Sequence, residues 1–589
     1  MDAGHEVIAG LANGAEGRAN TDWNAIDWRK VEKSVSNLRR RIFRASKEGD
    51  HRKVRSLQKL MLRSYANALQ SVRRVTQINA GKDTPGVDKL VVKTPKARSE
   101  LVDQTRYYQS WKAKPAKRVY IPKANGKLRP LGIPTIIDRV MQAIVKNALE
   151  PYWEARFEPA SYGFRPGRGC HDAIAKVFGI VRPNKRKKWV LDADIEGAFD
   201  SISHDKLLEV IGPFPARELL RQWLKAGYVE ETGTLHATQS EAGVPQGSII
   251  GPLLMNIALH GMEQALGVRY DKRGQIIGSR ALVRYADDWV VFCESKEDAQ
   301  AARRQAQEWL LKRGLHLSKE KTQIVHLSEG FDFLGFNIRH YPAPNTARSG
   351  YKLLIKPSKE SVLRFKERVR REWMALKGHN VTAVLKRLNP ILRGWANYFR
   401  IGVSKHTFET LDYWMFDRCV RYVKSNHRRK GWRWCRSKYW GMLNPQRADR
   451  WVFGDKNTGA YLLKLSWTPI KRHVLVKGAS SPDDPALRGY WIGREQRKIG
   501  TLAPKLISLA HSQRGRCSHC GASLVNGEAL HRHHLHPKGE GGTDERSNLE
   551  LVHLYCHQQI HTAATPAREP SDAQATCLSR VRGNPHARF

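Results

Sequence analysis

The chain has 589 residues and carries 102 Lys+Arg against 56 Asp+Glu, a formal charge of +46. Its length exceeds what one core supports, so three or four domains are expected. A basic excess spread along the whole chain calls for a polyanion partner; nucleic acid is the expected one and an anionic membrane surface the weaker alternative. No run of 18 apolar residues is present, so no membrane-spanning helix is expected.

Residues 1–20 are Gly/Ala-rich, lack the form of a secretory signal, and read as disordered. From Asp27 to about Gln70 the spacing is helical, with Val31, Val35, Leu38 and Ile42 on one face and Val54, Leu57, Met61 and Tyr65 on another. The opposite faces are rich in Lys and Arg and read either as a solvated surface or as a helical arm lying on phosphates, with the excess of one sign favouring the second. Arg118 to Lys123 predicts a strand, Asn125-Gly126 a turn, and Leu128 to Leu131 the return, with Lys123 and Arg129 near the base of the hairpin. Ser161 to Arg168 is a basic turn flanked by aromatics, either a nucleic-acid contact or a plain loop.

Trp189 to Ile195 predicts a strand whose alternate positions Val190, Asp192 and Asp194 share one face. Ser203 is a predicted N-cap. Gly243 to Ser248 is a flexible loop leading into a helix from Pro252 that places Leu254, Ala258 and Met262 together. Ala281 to Cys293 reads as two short strands with Asp287 and Asp288 at the turn between them. Adjacent carboxylates stay ionised cheaply only beside positive charge, and a metal pair about 3.5–4 Å apart is the usual clamp for phosphoryl transfer. A solvated Asp-Asp turn is the bland alternative. Strand, loop-helix and hairpin together predict an α+β layer with Asp194, Asp287 and Asp288 as metal carboxylates.

From Ser358 to about Trp440 the pattern is helical and rich in Arg, Lys and tryptophan. Trp395 reads as core, and Trp414, Trp432, Trp434 and Trp440 are open to core or base-stacking roles. Ser480 to Pro485 reads as a linker. Near the C-terminus, Cys517/Cys520 and His553/Cys556 are ligand pairs at two-residue spacing, which fits a closed tetrahedral zinc. His533, His534, His557 and His561 then suit a second, open site holding a divalent ion and a water. The other cysteines are scattered, so a reducing, intracellular setting is expected.

These motifs in combination resemble the bacterial group II intron-encoded proteins, which join reverse transcriptase, maturase and HNH endonuclease in one chain. The residues that carry the resemblance are Thr84 to Asp88, Ile121 to Pro134, Tyr162 to Arg165, Asp194 to Asp200, Pro245-Gln246-Gly247, Tyr285 to Asp288, Phe333-Leu334-Gly335 and Gly394 to Phe399. The resemblance implies a right-hand polymerase (fingers and palm) with an α-helical thumb/maturase domain and a small zinc-bound ββα-metal HNH domain. It divides the chain into a disordered N-terminus (1–20), a helical extension (21–110), fingers and palm (111–345), thumb/maturase (346–440), a DNA-binding region and linker (441–505), the HNH domain (506–565) and a basic tail (566–589).

By the same resemblance, Asp194, Asp287 and Asp288 bind Mg²⁺. Phe199 blocks a ribose 2′-hydroxyl, Gln246 lines the nascent pair, Lys123 and Arg129 hold the triphosphate, and Lys321 protonates the leaving group. In the nuclease, His534 is the general base, Asn548 orients it, and His533, His557 and His561 are metal ligands, while Cys517, Cys520, His553 and Cys556 hold structural Zn²⁺. The implied partners are intron RNA, target DNA and deoxynucleoside triphosphates, with no membrane and a homodimer left open, in a cytoplasmic, nucleoid-associated setting. Three positions depart from the family pattern: Ser248 and Gly251 stand where Gly and Ser are usual, and His553 where Cys is common.

Overall fold

A computed structural model describes residues 21–106, 111–122, 126, 128–230, 240–271, 274–344 and 349–563. Lys123 and the two tails, 1–20 and 566–589, lie outside the described residues. The chain forms two units: residues 34–92 with 104–491, and, among the described residues, 21–33 with 93–103 and 492–563. The stretch 21–110, expected as one extension, is therefore shared between them.

The first helices are α1 (Trp28–Lys47), α2 (His51–Leu62) and α3 (Tyr65–Arg73). Val31, Val35, Leu38, Ile42, Val54, Leu57 and Met61 are buried, as the 3.6-residue spacing predicts. Tyr65 is 39% exposed instead, because Ser64 accepts from Asn67 N, caps a new helix and so breaks the face. Strands β1 (Ala116–Pro122) and β2 (Leu128–Ile133) form the expected hairpin, with Pro122 opposite Leu128.

The centre of the larger unit is an antiparallel sheet of β3 (Trp189–Ala193), β4 (Ala281–Tyr285), β5 (Asp288–Cys293) and β6 (Gln323–His326), in the order β6-β3-β5-β4. Val190, Leu191, Leu282, Val283, Val290, Val291 and Phe292 are buried on both faces of it. Helices α4 (Cys170–Ile180) and α5 (Lys296–Leu311) pack on these strands. Between them in sequence, the predicted helix from Pro252 is short, Gly251–Ala258, and Met262 starts a separate turn. Ser203 caps as predicted, accepting from Lys206 N.

The sheet's core continues without a break into the helical region. Val190, Val283 and Phe292 belong to the same buried cluster as Phe336, Trp373, Leu388, Phe399 and Val423. The helices are α6 (Lys359–Ala375), α7 (Val381–Phe399), α8 (Lys405–Asn426) and α9 (Trp432–Tyr439). Trp395 packs against that cluster, as expected.

The segment read as a linker is the opposite of one. Ser481, Asp483 and Asp484 are buried, and Asp483 accepts from Arg39 Nε (2.9 Å) and Nη2 (2.7 Å), with Glu150 on the same guanidinium at 2.9 Å. The composition of Ser480 to Pro485 is loop-like, but Asp483 answers the largely buried Arg39, and the exposed Lys47 reaches Asp484 at 3.2 Å.

In the smaller unit, β7 (Leu530–His534) and β8 (Leu549–His553) pair antiparallel and lead directly into α10 (Leu554–Ala563), a ββα unit. Among the described residues no helix is long and apolar enough to cross a membrane.

Candidate active sites

Ala286 and Asp287 form the turn between β4 and β5, with Tyr285 paired to Asp288. Ala286 has φ +58°, the left-handed conformation that tight hairpins demand and that alanine adopts at a cost. Ala193, the last residue of β3, pairs with Trp289, so Asp194 follows the strand on the side of Asp288. The three carboxylates expected together do come together: the charge on Asp194 raises the pKa of both Asp287 and Asp288. The protein packed around Asp288, then Asp287, Asp194 and Asp192, pushes its carboxyl up to about 7, although its outer edge is open to solvent. Burial also raises Asp287, with Arg129 and Lys321 opposing.

Lys321 Nζ donates to Asp194 Oδ2 at 2.6 Å, and that bond raises the lysine's own pKa. Asp192 accepts from Gln323 at 3.1 Å and is raised to about 6, chiefly by burial. Four acids with a lysine and an arginine at their edge remain short of positive charge. Hard divalent cations suit this oxygen-donor set.

What holds the turn was not visible in the sequence. Arg284, 1% exposed, donates from Nη1 to Ala286 O (3.3 Å) and Asn256 Oδ1 (3.1 Å). Asn256 Nδ2 in turn donates to Gly163 O at 2.8 Å. Gly163 must lack a side chain: a Cβ there would lie 2.8 Å from the Tyr285 carbonyl carbon and 2.9 Å from Ala286 Cβ. Glu158 faces Arg284 at 3.8 Å and His260 at 3.1 Å. Burial opposes its ionisation, but His260 and Arg284 hold it down to about 2. Its neighbour Glu263, buried and facing that charge, is raised to about 7. The one sequence signal for this network was a lone arginine in an apolar strand. The basic turn at Ser161 to Arg168 belongs to the same scaffold, since Arg165 is 4% exposed and bonded to both oxygens of Glu154 at 3.0 Å. That arginine is unavailable to a phosphate.

The loop at Gln246 links the sheet to the hairpin. Gln246 O accepts from Gly132 N at 2.7 Å, and its side chain donates to Asp200 Oδ2 at 3.2 Å. Phe199, Asp200, Arg118 and Tyr228 border a cavity of about 130 Å³ beside this loop. The two departures in the loop compensate each other. Ser248 Oγ accepts from Gly251 N at 3.0 Å, and a Cβ at 251 would lie 2.6 Å from that same oxygen.

In the ββα unit, Cys517, Cys520, His553 and Cys556 bring four donor atoms within 4.8 Å of one another, all buried. Hydrogen bonds from Cys520 and Cys556 hold the Cys517 thiol far below its ordinary range. Burial opposes protonation of His553, yet Cys517 and Cys520 raise it to about 10. Thiolates and an imidazole converging on one point fit a soft-ligand tetrahedral metal.

His533, His557 and His561 form a second group within 4.8 Å, the last two at i, i+4 on α10. Burial and then the neighbouring histidines push His557 down to about 4, and burial lowers His533, so both rings keep lone pairs for a ligand. His533 Nδ1 is buried with no hydrogen-bond partner among the described residues.

His534 Nε2 lies 2.9 Å from Asp544 Oδ1. Asn548, expected to orient His534, does not reach it. Its side chain accepts from His536 N (2.7 Å) and donates to His536 O (3.0 Å) and Thr543 O (2.8 Å), clamping the loop that carries Asp544. Asp544 gave no spacing signal of its own.

Four family patterns match the chain in order: the N-terminal domain of reverse transcriptase at residues 23–105, reverse transcriptase (RNA-dependent DNA polymerase) at 121–338, the group II intron maturase-specific domain at 362–440, and HNH endonuclease at 517–563. Protein YkfC of Escherichia coli K12 is 36% identical over 313 residues, 46% of this chain and 80% of its own. The group II intron-encoded protein LtrA of Lactococcus lactis subsp. cremoris is 29% identical over 421 residues, 57% of this chain and 68% of its own. Among solved structures, telomerase from Candida albicans aligns over 57% of this chain and 62% of that one, with 14% identity and a TM-score of 0.29. With reverse transcriptase, maturase-specific and HNH matches in one polypeptide, this chain belongs to the group II intron-encoded proteins and is a multifunctional reverse transcriptase, maturase and HNH endonuclease.

Proposed function

We propose that the protein nicks a DNA target with its HNH domain and extends the new 3′ end on intron RNA. The observation that carries the polymerase half is the convergence of Asp194, Asp287 and Asp288 at the ends of adjacent strands. These carboxylates would hold Mg²⁺, which neutralises triphosphate charge and favours an ionised 3′-hydroxyl. Phe199 excludes a 2′-hydroxyl and Gln246 lines the nascent pair. Arg129, with Lys123, holds the triphosphate. Lys321, which donates to Asp194 Oδ2 at 2.6 Å, gives a proton to the leaving pyrophosphate.

In the nuclease, Asp544 fixes the proton of His534 on Nε2, which leaves Nδ1 to take a proton from water. His533, His557 and His561 would hold a divalent ion there. Cys517, Cys520, His553 and Cys556 would hold structural Zn²⁺. Residues 346–440 bind the intron RNA for splicing, 441–505 contact the target DNA, and the setting is cytoplasmic, at the nucleoid.

Primer extension on an RNA template tests the polymerase half. Asp287→Ala should lower the rate by about a thousandfold, because a metal clamp supplies several kcal/mol of charge stabilisation. Equal extension by wild type and variant would leave a splicing cofactor that only binds RNA.

A further inference from the structure

We propose that an apolar cavity beside α8 is a seat for one unpaired base of bound RNA. This rests on the maturase reading and adds a particular contact to it. The cavity measures about 480 Å³, within the roughly 300–1,000 Å³ of small-ligand sites. Its wall is aromatic: the Phe416 ring lies 5.9 Å from Trp440 and 5.8 Å from Trp451, and Trp440 lies 5.3 Å from Phe453. Trp440 is 3% exposed, yet its indole N–H has no acceptor among the described residues. Trp451 and Tyr413, which also line the cavity, are 42% and 80% exposed, so the cage opens to solvent.

Charge chooses the occupant. Between residues 428 and 464 stand ten lysines and arginines and only two acids, Asp449 and Asp455. Both acids are engaged, Asp449 with Lys464 at 2.6 Å and Asp455 with Thr382 at 3.1 Å, and Asp412, the acid in the cavity wall itself, accepts from Leu465 N (2.7 Å) and Ser466 N (2.9 Å). The Arg436 guanidinium sits 4.6 Å from the Trp451 ring centre. Aromatic faces inside a cationic rim match a phosphate-linked base, which stacks on the rings, brings acceptors for an indole N–H and offers its backbone to the cations. An apolar peptide side chain would leave those cations unanswered. RNA is favoured over DNA because Met415, Phe416 and Cys419 come from α8, within the maturase-specific match.

The test uses the full chain and a short single-stranded oligoribonucleotide carrying 4-thiouridine. Photo-cross-links should fall on peptides containing Phe416 or Trp451. Trp451→Ala should weaken binding about tenfold, as expected for one lost base stack, with Trp451→Phe restoring most of it. Tyr413→Ala, at a side chain 80% exposed, should weaken binding in the same direction. Abasic RNA should bind wild type and Trp451→Ala equally. RNA binding unchanged in both alanine variants, with cross-links elsewhere, would overturn the proposal and leave the maturase reading intact. A loss seen only with single-stranded DNA of the same sequence would overturn the choice of RNA. A full chain that binds no RNA at all would sink both readings.

Discussion

Glu263 makes a pH prediction at the scale of one side chain. Its folded pKa, about 7, lies above the ordinary carboxylate value of 4.5. The folded state therefore keeps a proton that the unfolded chain loses, so its contribution is full below about pH 4.5 and fades as pH rises through 7. Glu263→Gln should flatten that part of the stability profile, on the order of 2 kcal/mol between pH 4.5 and 8 by chemical denaturation. In the nuclease, Asp544→Asn keeps the shape but weakens the hold on His534, and nicking should fall by about tenfold to a hundredfold. His534→Ala should abolish nicking while primer extension continues at the wild-type rate. A parallel loss of extension would mean that the histidine supports folding and not chemistry.

Among the elements, the hairpin Ala281 to Cys293 is the most exacting. Its turn is held from below by Arg284 and pressed by the Gly163 backbone. Gly163→Ala should cost about 1–3 kcal/mol through overpacking and slow polymerisation by shifting Asp287. The loop before Gly251–Ala258 offers a reciprocal case. Ser248→Gly should lose about 1 kcal/mol with the hydrogen bond that its hydroxyl accepts from Gly251 N, and Gly251→Ser should clash with the Ser248 hydroxyl. The double exchange should recover most of both losses in thermal unfolding.

The strands and the converging acids were legible in the sequence because alternation and adjacent charges are local marks. The cysteine pairs were legible because ligand spacing within a knuckle is short. Arg284, Asp544 and the anchored Asp483 were not, since each is defined by a partner that the fold supplies. Asn548 was visible as a position, but the loop it clamps was not, because its partners His536 and Thr543 are brought to it by the fold.

For the molecule as a whole, the basic excess makes RNA affinity a matter of counter-ion release. If six to ten phosphates are contacted, affinity should fall by about 10³–10⁵ between 50 and 200 mM salt. Strong chelation of zinc should unfold the ββα unit, while Mg²⁺-supported primer extension persists. A further consequence concerns biosynthesis. Arg39, in helix α1, has one of its two carboxylate partners 444 residues downstream at Asp483, and until that residue is made only Glu150 answers its guanidinium. A nascent chain therefore holds Arg39 with only part of its counter-charge until most of the polypeptide has emerged. Any fragment that stops after the maturase helices would inherit that defect and should be cut by protease near α1 sooner than the full-length protein.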